Sequence, residues 1–168
     1  MRRDNRRRDC DNIVPLRQVR LGIDKMIQIY TGNGKGKTTA ALGLALRAAG
    51  AGLKVYIGQF IKGRPYSEFK ILKRIPNIKI ELFGRKCFIK RKPSQKDIDL
   101  ACAGLKRVRQ IIAKKTYDLV ILDEINIALH LGLLGENEVT NLIKSWPKDV
   151  ELVLTGRWAC LLYTSPSP

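Results

Sequence analysis

A glycine-rich loop between a β-rich run and an alanine-rich run constrains the fold of this chain more than any other feature. Residues 31–39 read Thr-Gly-Asn-Gly-Lys-Gly-Lys-Thr-Thr and follow the run Met26-Ile-Gln-Ile-Tyr30. Such a loop between a strand and a helix lets several amide N–H groups point at phosphate oxygens, and the helix adds its positive end. The pattern predicts a phosphate-binding P-loop followed by a helix from Lys37 to Ala49. A flexible glycine-rich turn is the alternative.

The loop also predicts individual nucleotide contacts. Lys37 supplies a point charge for the phosphates, and Thr38 supplies a hydroxyl for Mg²⁺. The loop departs from the general P-loop pattern because Thr31 stands where that pattern has its first glycine. The predicted ATP contacts in the loop are Gly32, Asn33, Gly34, Lys35, Gly36, Lys37, Thr38 and Thr39.

Short strand-like runs alternate with helical stretches along the rest of the chain. Beyond the first run, strands are predicted at 54–60, 78–83, 119–123 and 150–154. A long helix is predicted from Ser94 to Lys115, because Ser94 and Asp97 form a capping-box pair ahead of an apolar stripe. This alternation predicts a single-domain α/β fold of the P-loop NTPase (RecA-like) type, with a mostly parallel sheet and helices on both faces.

Two acidic residues mark the end of the strand-like run at 119–123, which is predicted to be a neighbour of the strand that leads into the P-loop. Asp123 and Glu124 stand at its carboxyl end, where α/β sheets bind their ligands. Either carboxylate would hold Mg²⁺ (or Mn²⁺), directly or through water, opposite Thr38. A solvated acidic turn is the alternative. Lys37, Thr38 and Glu124 are the predicted catalytic residues.

Charge and cysteine content bound the classes of partner. The chain has 32 Lys+Arg against 15 Asp+Glu, a formal net charge of +17, so nucleic acid must be considered as a partner. The basic residues are scattered, however, without an aromatic platform or a reading helix, and nucleic-acid binding is not favoured. The four cysteines are far apart and indicate neither a zinc site nor a disulfide framework. No apolar run approaches the roughly 20 residues that span a bilayer. We therefore expect a cytoplasmic protein.

Five motifs in order along the chain resemble those of the ATP:corrinoid adenosyltransferase family. The resemblance covers the chain from about Met26 to Arg157. The motifs are the loop at 31–39, Gln59-Phe-Ile-Lys-Gly63, Phe83-Gly-Arg85 followed by Phe88-Ile-Lys90, Asp118-Leu-Val-Ile-Leu-Asp-Glu-Ile-Asn126, and Leu154-Thr-Gly-Arg157.

The resemblance implies a reaction in which Co(I) of a corrinoid attacks the 5′ carbon of ATP and the triphosphate leaves. Backbone amides, Lys37 and Mg²⁺ would stabilise the charge that grows on the leaving group, and no general base is needed. His130 is then expected to be structural or at the surface. By resemblance, Arg157 and Lys62 are phosphate contacts, with a surface salt bridge as the alternative for each. The family also binds its nucleotide in a reversed sense relative to other P-loop proteins.

The corrinoid half of the site is implied by the resemblance alone. In the family, aromatic and apolar side chains crowd the lower face of the corrin ring. Phe88 matches that position best, with Arg85 as a second corrinoid contact and core packing as the alternative for Phe88. A reduced flavoprotein as electron donor and a homodimer are implied in the same way. The corrinoid that is preferred stays open, as does biosynthesis versus salvage.

The domain organisation is expected to have three parts. Residues 1–25 form a basic N-terminal arm, residues 26–157 the P-loop adenosyltransferase domain, and residues 158–168 an atypical, non-native or disordered tail that does not match the family's C-terminal pattern. Two other functions compete with adenosyl transfer. One is a conventional P-loop ATPase or phosphotransferase that yields ADP, and the other is an ATP-responsive nucleic-acid-binding module.

Overall fold

A parallel sheet flanked by helices forms the protein in the computed structural model, which describes residues 26–86 and 92–159. The elements are β1 (Ile27–Tyr30), α1 (Lys37–Gly50), β2 (Val55–Phe60), α2 (Ser67–Leu72), β3 (Ile78–Phe83), α3 (Gln95–Ala113), β4 (Leu119–Asp123), α4 (Ile125–His130), α5 (Glu136–Lys144) and β5 (Glu151–Thr155). The 5 strands lie in the order β1-β5-β4-β2-β3, and every neighbouring pair is parallel. The predicted α/β class is confirmed.

The core has two layers because the central strands are covered on both faces. Strands β2 and β4 are buried along their whole length. Alternate side chains of β2 point to opposite faces, so Val55 and Ile57 pack with α1 and α2 while Tyr56 and Phe60 pack with α3. Burial of each large apolar side chain contributes roughly 1.5–3 kcal/mol. These layers fix the strand ends that carry the polar residues.

Helix α1 lies close to the sheet because the residues on its inner face are small. Ala41, Ala45 and Ala49 recur one turn apart and are buried against the strands. The helix begins directly after Gly36, whose φ of 106° is readily adopted only by glycine. It ends at Gly50, so the predicted helix from Lys37 to Ala49 is confirmed. The end of the P-loop is thereby fixed against the core.

Helix α3 begins as predicted and ends earlier than predicted. The Asp97 carboxylate accepts hydrogen bonds from the Ser94 amide at 2.9 Å and from the Ser94 hydroxyl at 2.7 Å. The helix ends at Ala113, and the predicted end at Lys115 was wrong. Lys115 has a φ of 46°, which is left-handed backbone and cannot continue a right-handed helix.

The ends of the chain are described only in part. The predicted arm at residues 1–25 and residues 160–168 of the predicted tail lie outside the described residues. Ala159 is buried, and the Trp158 ring stacks on His130 with 4.2 Å between ring centroids, so these residues pack on the domain. Among the described helices, none has the length and apolar character needed to cross a membrane.

Candidate active site

The P-loop follows β1 and folds around the Lys37 side chain. Lys37 Nζ donates hydrogen bonds to the carbonyl oxygens of Gly32 at 2.6 Å and Gly34 at 2.5 Å. Gly32 has a φ of 119°, and a Cβ at Gly32, Gly34 or Gly36 would have no heavy atom within 4 Å. Backbone conformation therefore favours glycine at positions 32 and 36, and packing does not require glycine at any of the three positions. Such a loop suits a bulky anion.

Asp123 lies at the centre of a hydrogen-bonded cluster, called the hub below, that includes Thr38, Gln59, Lys62 and Thr155. Its carboxylate is 1% exposed and accepts four side-chain hydrogen bonds. Oδ1 accepts from Thr38 Oγ1 at 2.8 Å and from Thr155 Oγ1 at 2.7 Å. Oδ2 accepts from Gln59 Nε2 at 3.0 Å and from Lys62 Nζ at 2.6 Å. A buried carboxylate is tolerated here because every contact is with a donor and one donor carries a positive charge.

The strand that carries Asp123 is not next to the strand that leads into the P-loop. The prediction that these two strands are neighbours was wrong, because β5 lies between β1 and β4. The Thr155 hydroxyl at the end of β5 donates to Asp123 Oδ1, the same oxygen that accepts from Thr38 in the P-loop helix. All the strands are parallel, so their carboxyl ends still meet at one edge of the sheet.

Glu124 has a different environment from its neighbour. Its backbone is left-handed, with φ of 61°, and its amide donates to Thr155 Oγ1 at 3.0 Å. Its Oε2 atom is buried and has no hydrogen-bond partner among the described residues. Burial, and next the charge of Asp123, raise the pKa of the Glu124 carboxyl, while Lys62, Lys37 and Arg157 oppose that rise. Hydrogen bonds offset the cost of burying the Asp123 carboxylate, but none offsets the cost of burying Glu124 Oε2.

Two loops at the same edge of the sheet touch through their backbones. A Cβ on Gly63 would lie 2.3 Å from the Arg85 carbonyl carbon, and a Cβ on Gly84 would lie 2.3 Å from the Ile61 carbonyl carbon. Only glycine permits this approach. The contact joins the loop after β2, which carries Lys62, to the loop after β3, which carries Arg85.

Arg85 is part of a second polar cluster. Its guanidinium donates to both oxygens of the Asp97 carboxylate, at 2.6 Å and 2.8 Å. Asp97 is 4% exposed, and the Arg85 hydrogen bonds in particular lower its pKa to about 2. The pair ties the end of β3 to the start of α3. The structure thus gives Arg85 a structural contact, and its predicted corrinoid contact stays a prediction.

The turn after β5 carries the last predicted phosphate contact. The buried Asn126 side chain donates to the Gly156 carbonyl at 3.4 Å, and a Cβ on Gly156 would lie 2.9 Å from Asn126 Cβ. The next residue, Arg157, is exposed and forms no ion pair with any residue in 26–86 or 92–159. Its guanidinium is available to an anion at this edge.

The structure brings some of the predicted site residues together and leaves others apart. Thr38, Lys62, Asp123 and Glu124 come together, and Lys62 forms a largely buried ion pair instead of the surface salt bridge that was the alternative. Asn33 and Lys35 are exposed in the loop, and Thr39 is exposed in the first turn of α1. Phe88 lies outside the described residues. His130 is exposed and stacked on Trp158, and its ring makes no hydrogen bond or ion pair with another side chain in the described part of the chain.

Two members of the hub were missed from the sequence. Gln59 is 1% exposed and Thr155 is 0% exposed, and both bond to Asp123. Gln59 could have been found as a polar residue in an otherwise apolar strand. The residue type of Thr155 gives no such signal, since threonine is common in strands. Both residues do lie in motifs that carry the family resemblance, but neither was predicted as a site residue.

The chain is similar to known proteins of one kind. A family model described as ATP:corrinoid adenosyltransferase BtuR/CobO/CobP matches residues 24–162. A corrinoid adenosyltransferase of Pseudomonas aeruginosa is 37% identical over 136 residues, which cover 80% of this chain and 67% of that protein. A corrinoid adenosyltransferase of Escherichia coli K12 is 32% identical over 133 residues, which cover 79% of this chain and 67% of that protein.

A solved structure is also similar in fold. It is a KaiC-like protein of Pyrococcus horikoshii, with a TM-score of 0.50 and 19% identity, and the match covers 80% of this chain and 63% of that one. At this identity the likeness concerns the fold alone. It agrees with the predicted RecA-like arrangement.

Proposed function

The chain belongs to the ATP:corrinoid adenosyltransferase family, and we propose from this premise that its site transfers the 5′-deoxyadenosyl group of ATP to the Co(I) ion of a corrinoid. The observation that carries the proposal is the meeting of Thr38 with Asp123, beside Glu124 and the P-loop. A triphosphate bound in the loop would lie against this cluster. The product would serve adenosylcobalamin biosynthesis or salvage.

The reaction moves one electron pair from cobalt to carbon and another from carbon to oxygen. Co(I) is the nucleophile, and its electron pair forms the Co–C5′ bond. The C5′–O bond breaks, and its electron pair leaves with the intact triphosphate, so the cobalt is formally oxidised to Co(III). No proton is removed from the 5′ carbon. Neither Asp123 nor Glu124 therefore has to act as a general base.

The P-loop suits this reaction because negative charge grows on the leaving triphosphate. Lys37 already bonds to two oxygen acceptors of the loop, so its ammonium lies where phosphate oxygens would be held. Interactions that strengthen as the leaving group gains charge lower the barrier, whereas equal binding of ATP throughout would not. Arg157, exposed at the same edge, adds a further cation for the triphosphate.

The residues present fit a magnesium ion, with Mn²⁺ as the alternative. Mg²⁺ takes oxygen ligands, commonly one or two carboxylates together with phosphate oxygens. Glu124 Oε2 is a buried carboxylate oxygen with no donor among the described residues, whereas Asp123 is saturated by four donors. We assign the Thr38 hydroxyl and Glu124 to the metal, with Asp123 orienting Thr38. When bound, the metal would neutralise charge on the triphosphate.

The corrinoid half of the reaction rests on the family. We propose that Phe88 contacts the corrin ring and that Arg85 lies at the edge of that site, held by Asp97. A reduced flavoprotein that donates the electron needed to reduce Co(II) of the corrinoid to Co(I) belongs to the same proposal, as do a homodimer and a cytoplasmic location. The chain matches 67% of the length of its Pseudomonas relative. Because part of the relative has no counterpart in this match, adenosyl transfer has to be measured on this chain and not inferred from the relative.

The proposal is tested by the phosphate product. The protein is mixed with Mg·ATP and chemically reduced cobalamin without oxygen, and the products are separated by ion exchange. Adenosylcobalamin with an equal amount of inorganic triphosphate is the expected result. ADP and phosphate, without alkylated corrinoid, would identify a conventional P-loop ATPase and overturn the proposal.

A further inference from the structure

Thr155 lies at the end of the strand that separates the P-loop strand from the Asp123 strand. Thr155 is 0% exposed, and it pairs in register with Tyr30 of β1. The next amide, that of Gly156, donates to the Tyr30 carbonyl at 3.2 Å. Backbone bonds therefore fix Thr155 to the strand that leads into the P-loop.

The Thr155 hydroxyl is used both as a donor and as an acceptor. It donates to Asp123 Oδ1 at 2.7 Å, and it accepts the Glu124 amide N–H at 3.0 Å. A hydroxyl has one hydrogen to donate, so its position between these partners is set from both sides. Valine has nearly the same shape and can make neither bond.

The Glu124 backbone needs such support. Its φ of 61° is left-handed, a conformation that costs energy in a residue other than glycine and persists when the surroundings over-determine it. The hydrogen bond from the Glu124 amide N–H to Thr155 Oγ1 holds this turn at the end of β4, where the Glu124 side chain begins. The direction of the Glu124 carboxylate therefore depends on Thr155.

We infer that Thr155 is a positioning residue that orients Glu124 and, through the shared Asp123 oxygen, Thr38. The inference rests on the proposed function, in which Thr38 and Glu124 hold the metal of Mg·ATP. In this role Thr155 acts through Asp123 and the Glu124 backbone, not by contact with the metal or the nucleotide. Replacement of such supporting groups typically lowers metal affinity or activity by about 10–100-fold.

The inference is tested with Thr155→Val, which removes the hydroxyl, and Thr155→Ser, which keeps it and removes the methyl group. Calorimetry measures the ATP affinity of each variant with Mg²⁺ and in EDTA, and thermal unfolding measures stability. Thr155→Val should lose about 10–100-fold of the Mg²⁺-supported affinity and keep its metal-free affinity. Thr155→Ser should resemble the wild type in both.

Three results would overturn the inference. They are unchanged Mg·ATP affinity in Thr155→Val, an equal loss with and without Mg²⁺, and an equal loss in Thr155→Ser, which would indicate packing alone. If Thr155→Val does not fold, the smaller Thr155→Ala replaces it in the same comparison with Thr155→Ser. Binding is measured without corrinoid, so the result is independent of transfer. A wild-type protein that binds Mg·ATP but makes no adenosylcorrinoid would contradict the proposed function and leave this test in force.

Discussion

Thr38 Oγ1 lies 2.8 Å from Asp123 Oδ1, although 85 residues separate them in the chain. The hydrogen bond joins the first turn of α1 to the end of β4 across the intervening strand β5. It couples the helix that follows the phosphate loop to the Asp123 carboxylate, and Thr155 joins Asp123 to the Glu124 backbone. The sheet thereby sets the distance between the P-loop and the Glu124 carboxylate, which under the proposed function would hold the triphosphate and its metal ion.

Removal of the P-loop charge should abolish the function. Lys37→Ala removes the ammonium that bonds to the loop carbonyls, and loss of one preorganised donor to a developing anion typically costs about 100–1,000-fold in rate. We expect at least that loss of adenosyl transfer, measured by the absorbance change of the corrinoid. Lys148→Ala, at an exposed lysine in the loop before β5, is the matched control and should keep full activity. Equal activity of both variants would exclude the P-loop assignment.

Glu124→Gln should separate activity from stability. The amide keeps the shape of the side chain but removes the charge that the metal requires, so transfer should fall by more than the roughly 10–100-fold that loss of a group supporting a metal ligand costs. Burial raises the pKa of Glu124, so its ionised form destabilises the fold at neutral pH. Glu124→Gln should therefore melt at a higher temperature than the wild type at pH 7.

The difference in melting temperature between Glu124→Gln and the wild type should depend on pH. A carboxyl group with a raised pKa imposes no charge penalty below its ordinary value of 4.5, and the penalty grows as pH rises through the folded-state pKa. The melting-temperature advantage of Glu124→Gln should therefore shrink as pH is lowered toward 4.5. An advantage that is constant or grows with acidity would contradict the burial of this carboxylate.

The Asp97 carboxylate should stabilise the connection between β3 and α3. Asp97→Asn leaves the Arg85 guanidinium without its charged partner and should lower the free energy of unfolding by about 1–3 kcal/mol. The Asp97 pKa is lowered from 3.8 to about 2, so its stabilisation is complete above 3.8 and is lost as pH falls toward 2. Denaturant unfolding of both proteins should show a gap at pH 6 that narrows below pH 4. A gap that is independent of pH would contradict the ion pair.

The backbone contact between the two loops should not tolerate a methyl group. In Gly84→Ala the new Cβ would lie 2.3 Å from backbone atoms, so the loops must separate and stability should fall by more than 1 kcal/mol. Gly43→Ala, on the exposed face of α1 with nothing within 4 Å, is the matched control. It should raise stability by about 0.5–1 kcal/mol, because alanine is the better helix former. Similar melting temperatures for the two variants would show that the loops do not touch.

The sequence predicted those parts of the fold that depend on local pattern. The buried strands were found nearly to the residue, because apolar runs and β-branched residues mark β2 and β4. Helix α1 followed from the glycine that precedes Lys37 and the alanines beyond it. The short helices α2 and α5 were missed, because Ser67–Leu72 and Glu136–Lys144 include too few turns for a periodic pattern.

Strand order could not be predicted, and it determines the rest of the site. Nothing local indicates that β5 lies between β1 and β4, because that depends on how the helices pack on both faces. Lys37, Thr38 and Asp123 were found from their motifs. Thr155 was missed because its role exists only once β5 lies beside Asp123.

The fate of the 5′ carbon tests the central claim most directly. ATP labelled with ¹³C at the 5′ position is incubated with the protein, Mg²⁺ and reduced cobalamin without oxygen, and the corrinoid fraction is analysed by NMR and mass spectrometry. The account predicts that the labelled carbon is bonded to cobalt and that the triphosphate is released intact. Label that stays in ADP or ATP, with unlabelled corrinoid, would contradict adenosyl transfer by this chain.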